Sequence, residues 1–329
     1  MGSLKKERFV SEHKYWKGRN ILRVDQFTKA DLDWLFAVTR EMLFIVDNKL
    51  PNTLLQGYCM TTLFYEPSTR TSSSFCSAME RLGGSHHQIN GVKYSSVAKG
   101  ESVHDTVRTL AELFDVIVMR HPEQGIIPNV AEASRVPLIS GGDGIGEHPT
   151  QALLDVYTIL RELERPLNPD LHVVMIGDLK YGRTIHSLSR LLAMYEVPLG
   201  FYAPDSLDLP EALSAELAAQ TKIAHYASIE DAIKEADVFY VTRIQRERFV
   251  NPADYDQLKG SYQVTSELMK HAKPKMALMH PLPRVDEIER TVDTDSRAAY
   301  FRQIRYGLAV RMALLALVLG KREPYVSLA

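Results

Sequence analysis

The chain has 329 residues, 45% hydrophobic and 24% charged, a balance that excludes disorder over most of its length and supplies side chains for a sizeable core. Lys and Arg total 39 against 41 Asp and Glu, a formal net charge of −2 without any long block of like charge, which argues against a nucleic-acid arm or a membrane patch. At roughly 100–200 residues per domain, the length predicts two domains or one large barrel.

The first residues lack the apolar core of a signal peptide, and no apolar run approaches the ~20 residues of a membrane span, the longest being Met312 to Leu319. A cytoplasmic chain is therefore expected. Leu32, Leu35, Phe36, Met42 and Leu43 recur at helical spacing between Asp31 and Asn48, and a strand follows from Tyr58 to Tyr65. After a loop, Phe75, Met79 and Leu82 mark one face of a second helix that stops at Gly83-Gly84. A helix around Ser102 to Phe114 and strands at Val116 to Met119 and Val136 to Ser140 complete a first α/β unit. Cys59 and Cys76 are the only cysteines and have no C-x-x-C spacing, so neither a disulfide framework nor a zinc site is predicted.

Pro149 suits the first position of a helix running to Glu164, which Pro166 and Pro169 separate from a second α/β series. That series comprises strands at Leu171 to Ile176, Leu199 to Tyr202, Val238 to Val241 and Met276 to Met279. Helices are predicted at Thr184 to Tyr195, Pro210 to Gln220 and Ile229 to Glu235, with a long last helix from about Ser296 to Leu319. The fold class is α/β: two doubly wound domains, each with a mainly parallel sheet, joined by two helices. The expected boundaries are 1–149, completed by the final helix at about 307–329, and 165–299, with 150–164 and 300–306 as helical connections.

The segment Phe64 to Phe75, with Ser68-Thr69-Arg70-Thr71 at its centre, lies between a strand and a helix start. Three hydroxyls, a guanidinium and the N–H groups of a helix N-terminus suit a phosphate dianion, although a Ser/Thr-rich loop that merely caps the helix reads the same way. Gly177-x-x-x-x-Gly182 has neither the G-x-G-x-x-G spacing nor a Gly-Lys-Ser/Thr ending, so no nucleotide loop is predicted. His86-His87 lacks the acidic or cysteine neighbours of a metal site, and neither metal nor cofactor is expected.

Ser68-Thr69-Arg70-Thr71 resembles the carbamoyl-phosphate motif of the transcarbamylases, and further segments match that family in order. They are Arg120 in Val118 to Pro122, His148 and Gln151 in His148-Pro149-Thr150-Gln151, and Lys99 in Ala98 to Glu101. The resemblance is to aspartate transcarbamylase, including the versions found within larger multifunctional pyrimidine-synthesis polypeptides. It implies carbamoyl-phosphate ligands at Ser68, Thr69, Arg70, Thr71, Ser95, Lys99, Arg120, His148 and Gln151, with Thr71, Lys99, Arg120 and His148 carrying catalysis. Lys99, Arg183, Arg243, Gln245 and the backbone of Pro281 and Leu282 would hold aspartate, and the Leu282-Pro283 bond would be cis. Two forked guanidinium groups suit two carboxylates and would repel the cationic side chain of ornithine. The ornithine enzymes also carry a cysteine where this chain has Pro281.

The implied reaction is attack of the aspartate α-amine on carbamoyl phosphate, with Thr71, Arg120 and His148 stabilising the oxyanion. By the same resemblance, the loop bearing Ser95 and Lys99 reaches a neighbouring subunit's site, which implies a homotrimer; composition alone reads it as a solvated loop. Glu66, Arg183 and Arg248 would bridge the domains on closure, or else form ordinary surface pairs. The sequence departs from the family at Ser72, where many members have arginine, and at Ala98, where a second lysine is usual. Rival readings are a transcarbamylase for another amine and a catalytically silent trimeric scaffold that keeps the carbamoyl-phosphate pocket.

Overall fold

The computed structural model describes residues 16–91, 100–245, 251, 255, 258 and 260–322. The chain forms two units: unit 1 takes the chain as far as Thr150 and again from Tyr306, while unit 2 is Gln151–Arg305. Segments 151–164 and 300–305 thus belong to unit 2.

Unit 1 opens with helix α1, Lys29–Asn48, whose first turn is closed by a reciprocal capping box. Thr28 Oγ1 accepts from Asp31 N–H at 3.1 Å, and Asp31 Oδ2 accepts from Thr28 N–H at 2.9 Å. Leu32, Leu35, Phe36, Met42, Leu43 and Val46 form its buried face. Strand β1, Cys59–Phe64, leads into α2, Thr69–Arg81, which ends as expected at Gly83, with φ 79° and its N–H on Glu80 O. Then come β2, Ser85–Asn90, α3, Val103–Leu113, β3, Val116–His121, α4, Ile126–Ala131, and β4, Leu138–Asp143. The strands lie in the order β2-β1-β3-β4, and every pairing is parallel. Leu63, Ile117, Met119 and Leu138 of the sheet pack with Val107, Leu110, Ile127 and Val130 of α3 and α4.

Helix α5, Pro149–Leu163, begins in unit 1 and runs into unit 2. There the chain forms β5, Val173–Ile176, α6, Arg183–Met194, β6, Leu199–Tyr202, α7, Glu211–Ala218, β7, Ile223–His225, α8, Ile229–Glu235, and β8, Val238–Val241. Short helix α9, Ser266–Met269, and β9, Ala277–Met279, precede the last helix, α10, Tyr300–Val318. The order is β7-β6-β5-β8-β9, again parallel throughout. Every residue of β5 and β8 is buried, as in a sheet covered on both faces.

The last helix starts at Tyr300, later than its expected start near Ser296, because the residues before it continue the sheet. Leu278 N–H donates to Arg297 O, and Ala299 N–H to Leu278 O, both at 2.8 Å. Strands β2 and β7 were invisible to hydrophobic patterning because they are edge strands left largely exposed: Ser-His-His-Gln-Ile-Asn and Ile-Ala-His bury too little to require an apolar run, unlike the buried edge strands β4 and β9.

In each sheet the strand order reverses beside the first strand, between β1 and β3 in unit 1 and between β5 and β8 in unit 2. Loops leaving adjacent strands in opposite directions open a crevice at their carboxyl ends, where open α/β sheets bind ligands.

Candidate active site

In unit 1 the segment Ser68 to Thr71 and Arg120 stand at the two strands that flank that reversal, Ser68 to Thr71 just after β1 and Arg120 near the end of β3. Ser68 is the N-cap of α2, with φ −151° and ψ 98°, and its side chain makes no capping hydrogen bond. The capping alternative therefore fails for this hydroxyl. The first intrahelical bond is Ser72 N–H to Ser68 O at 3.2 Å, so the N–H groups of the preceding residues have no acceptor within the helix. Thr69 and Arg70 are exposed, whereas Thr71 turns inward and is buried. Ser72 is buried too, where Gln88 Nε2 donates to its Oγ at 3.1 Å.

Arg120 reaches the same end of the sheet on the adjacent strand, in register with Phe64 of β1. A bulge sits beside it: β3 advances two residues from Met119 to His121 while β4 advances three, from Ser140 to Asp143. The extra residue falls in Gly141-Gly142, where Gly142 adopts φ 126°, a conformation costly for any side chain. Arg120 Nη1 donates to Gly141 O at 3.2 Å, and a Cβ on Gly141 would stand 3.3 Å from Thr71 Cγ2. A side chain at 141 would thus crowd Thr71 and, at the same 3.3 Å, the Phe64 ring. Arg120 Nε and Nη2 both bond Glu66 Oε2, at 2.9 and 2.8 Å. Glu66, expected in a domain-closing bridge with Arg183 and Arg248, is thus engaged by Arg120. His148 follows β4, is buried, and has Nδ1 3.5 Å from Thr150 Oγ1.

Unit 2 places the acceptor-binding candidates at its own reversal. Ile176 of β5 and Val241 of β8 are paired, so the segments 177–183 and 242–245 leave neighbouring strand ends. Thr242 donates through both N–H and Oγ1 to Ile176 O, each at 3.0 Å. Gly177, with φ 114°, lies so close that a Cβ there would meet Tyr262 Oη at 2.5 Å. Buried Asp178 accepts from Tyr181 N–H at 2.9 Å, folding a turn that delivers Arg183 to the first position of α6. Gln245 Nε2 donates to Tyr181 O at 3.3 Å, tying the segment that carries Arg243 to the segment that carries Arg183.

The third element of unit 2 follows β9. The Leu282-Pro283 bond is cis, and Leu282 has φ 56°. His280, almost fully buried, accepts Leu282 N–H on Nδ1 at 2.8 Å, so its proton sits on Nε2, which donates to Glu287 Oε1 at 2.7 Å. Glu287 Oε2 accepts from the N–H groups of Val285 and Asp286 at 3.0 and 3.1 Å. Burial depresses the His280 pKa despite the opposing carboxylate. For Glu287, burial acts upward, but the hydrogen bonds from His280 and from the backbone hold the carboxyl below its ordinary value.

Gln151 stands in the first turns of α5, and its Nε2 donates at 2.8 Å to Asp155, a carboxylate with no exposure. Tyr240 Oη and Gln303 Nε2 donate to the same carboxylate at 2.7 and 2.6 Å. Desolvation, then the Asp155 charge, push the Tyr240 phenol well above its ordinary pKa.

Sequence reasoning missed Asp155, Glu287 and Arg311. Arg311 lies in the otherwise apolar stretch of α10, donates to Ser74 Oγ at 3.0 Å and covers the Phe75 ring at 5.3 Å, supporting α2 from below. The available signal was a lone charge on the apolar face of a helix: Asp155 follows Gln151 by four residues among Ala152, Leu153, Leu154 and Val156. Ser95, Lys99 and Arg248 lie outside the described residues. Among the described residues no group of three or more His, Cys, Asp or Glu side chains is placed to hold a metal; His86 Nε2 instead contacts Glu80 at 3.0 Å.

Residues 19–161 match the carbamoyl-P binding domain of the aspartate/ornithine carbamoyltransferases, and residues 169–318 match the Asp/Orn binding domain. The chain is 47% identical to the aspartate carbamoyltransferase catalytic subunit of Thermococcus gammatolerans, over 93% of this chain and 99% of that one. It is 48% identical over 95% of its length to the multifunctional protein URA2 of Saccharomyces cerevisiae, but spans only 14% of that protein. Among solved structures, aspartate transcarbamoylase from Trypanosoma cruzi in complex with carbamoyl phosphate and aspartate is similar, with a TM-score of 0.88 and 42% identity, covering 92% of this chain and 98% of that one. The catalytic subunit from M. jannaschii superposes with a TM-score of 0.84 at 43% identity, covering 91% and 98%. With both units matched, the chain belongs to the aspartate/ornithine carbamoyltransferase family, among its aspartate transcarbamylases.

Proposed function

We propose that the chain transfers the carbamoyl group of carbamoyl phosphate to the α-amine of L-aspartate, giving N-carbamoyl-L-aspartate and phosphate in pyrimidine biosynthesis. The observation that carries this reading is the delivery of Arg183 and Arg243 from the ends of paired strands β5 and β8, two guanidinium groups for a dicarboxylate acceptor.

The neutral amine nitrogen attacks the carbonyl carbon, the tetrahedral intermediate expels phosphate by breaking the C–O bond, and the nitrogen loses one proton. Ser68, Thr69, Arg70 and Thr71 hold the phosphate with the first-turn N–H groups of α2, an arrangement that also suits the charge growing on the leaving group. Arg120, Thr71 and His148 donate to the developing oxyanion, each worth ~10²–10³ in rate by analogy with other oxyanion donors. Gln151 accepts from the carbamoyl NH₂. Gln245 joins the arginines on the aspartate carboxylates, and the carbonyls of Pro281 and Leu282 receive the ammonium or amine hydrogens. Ser95 and Lys99 complete the donor site from a neighbouring subunit of a homotrimer, a role that rests on the motif alone. A cytoplasmic location, supported by the free thiols of Cys59 and Cys76, and a place beside other pyrimidine-pathway domains on a longer polypeptide belong to the same proposal.

The test is product formation from carbamoyl phosphate with aspartate or ornithine, phosphate release being followed in parallel. Carbamoyl aspartate with aspartate alone is the expected result. Turnover with ornithine would reassign the acceptor, and carbamoyl-phosphate binding without turnover of either amine would leave a scaffold.

A further inference from the structure

Asp155 has no solvent exposure, and α5, β8 and α10, three elements distant in sequence, meet on its carboxylate. Oδ1 receives Nε2 of both Gln151 and Gln303, and Oδ2 receives the Tyr240 hydroxyl. An ionised carboxylate only accepts, so each glutamine must turn its NH₂ toward Asp155 and its carbonyl oxygen away. For Gln303, the outward oxygen accepts the backbone N–H of His280 at 3.1 Å. That residue in turn fixes Leu282 through its ring. For Gln151, the outward oxygen is the acceptor that a carbamoyl NH₂ requires.

We propose that Asp155 is a positioning residue for carbamoyl transfer: its carboxylate sets the amide of Gln151 with the carbonyl oxygen toward the carbamoyl NH₂ and, through Gln303, anchors the His280–Leu282 loop. This rests on the role of Gln151 given above. A neutral amide has two faces of opposite sense, and rotating it by a half-turn exchanges acceptor for donor. At position 151 such a turn would set NH₂ against NH₂. Asp155 therefore controls recognition of the carbamoyl group, while the phosphate remains the business of unit 1.

That division supplies a readout that a merely structural role would not move. Asp155→Asn keeps the side-chain volume but offers an NH₂ as well as an oxygen, so both orientations of Gln151 become available. Asp155→Ser leaves a small hydroxyl and room for water. Affinities for carbamoyl phosphate and for inorganic phosphate are measured by calorimetry on the assembled protein, together with turnover of aspartate. Carbamoyl-phosphate affinity is expected to fall about tenfold in either variant, the scale of coupling within a buried network, while phosphate affinity stays within about twofold. Adding Asp155→Asn to Gln151→Ala should weaken carbamoyl-phosphate binding no further than Gln151→Ala alone. Unchanged carbamoyl-phosphate binding, equal loss for both ligands, or additive losses in the double variant would overturn the proposal. So would failure of both variants to bind phosphate, which would make Asp155 a support of the fold. Failure of the underlying functional reading is seen separately, as wild-type protein that binds carbamoyl phosphate without turning over aspartate.

Discussion

Arg120 grips Glu66 side-on, with Nε and Nη2 sharing one carboxylate oxygen, although Arg120 lies in β3 and Glu66 follows β1. The carboxylate fixes two of the three guanidinium nitrogens, and Gly141 O receives the third, so this arginine is oriented before any ligand arrives. Glu66→Ala releases that hold without altering the hydroxyls of Ser68, Thr69 and Thr71, the proposed phosphate ligands. We expect kcat/KM for carbamoyl phosphate to fall about tenfold, or ~1.4 kcal/mol of transition-state stabilisation, while stability changes by about 1 kcal/mol or less. Steady-state kinetics beside urea unfolding separate the two, and an unaltered kcat/KM would remove Glu66 from the orienting role.

The His280–Glu287 pair predicts acid sensitivity. His280 must remain neutral to accept Leu282 N–H, and its folded pKa lies below the ordinary 6.5. The unfolded chain therefore binds the proton first as pH falls, so this contribution to stability is complete above about 6.5 and is lost below it. Glu287, depressed below its ordinary 4.5, contributes above that value and loses its contribution as pH falls further, so the two effects have the same sign. Urea midpoints between about pH 5 and 8 should rise with pH in the wild type and rise less steeply in His280→Asn. Identical profiles would show that another group titrates.

Gly177 carries a prediction of stability. Its φ of 114° and the 2.5 Å approach of a Cβ to Tyr262 Oη, with Thr242 backbone oxygen closer still, leave no room for a methyl group. Gly177→Ala should cost about 3 kcal/mol, because the strained conformation and the overpacking fall on the same atom. Denaturant titration checks the value. A loss below about 1 kcal/mol would mean that the ends of β5 and β8 can separate without penalty.

The shared-site reading has a complementation test. Lys99→Ala and Arg120→Ala proteins, each nearly inactive, should regain activity after dissociation and joint reassembly, since some mixed trimers would contain an intact site. Verified subunit exchange without recovery would place Lys99 and Arg120 in the same subunit's site.

Patterning exposed what is buried on two sides or amphipathic with a clear period: β1, β5, β8 and the face of α1. It failed where burial is slight, at edge strands β2 and β7, and where elements are too short to show a period, as with Ile126–Ala131 and Ser266–Met269. The substrate candidates were legible because they stand in compact motifs, such as Ser68 to Thr71, that the strand ends then display. Their supports were not. Asp155 meets Tyr240 and Gln303 across 85 and 148 positions of chain, and no local spacing encodes that meeting.

The division of the chain has a consequence for its synthesis. Unit 2 is continuous and is complete once residue 305 has left the ribosome, whereas unit 1 waits for residues translated after it. The delayed portion is structural: α10 brings the buried Arg311 to Ser74 and Phe75, and Val318 O receives Gly18 N–H at 2.8 Å. A nascent chain therefore holds every residue of unit 2 before the helix that carries Thr69 to Thr71 has received the contacts of Arg311. The donor half, although encoded first, is finished last.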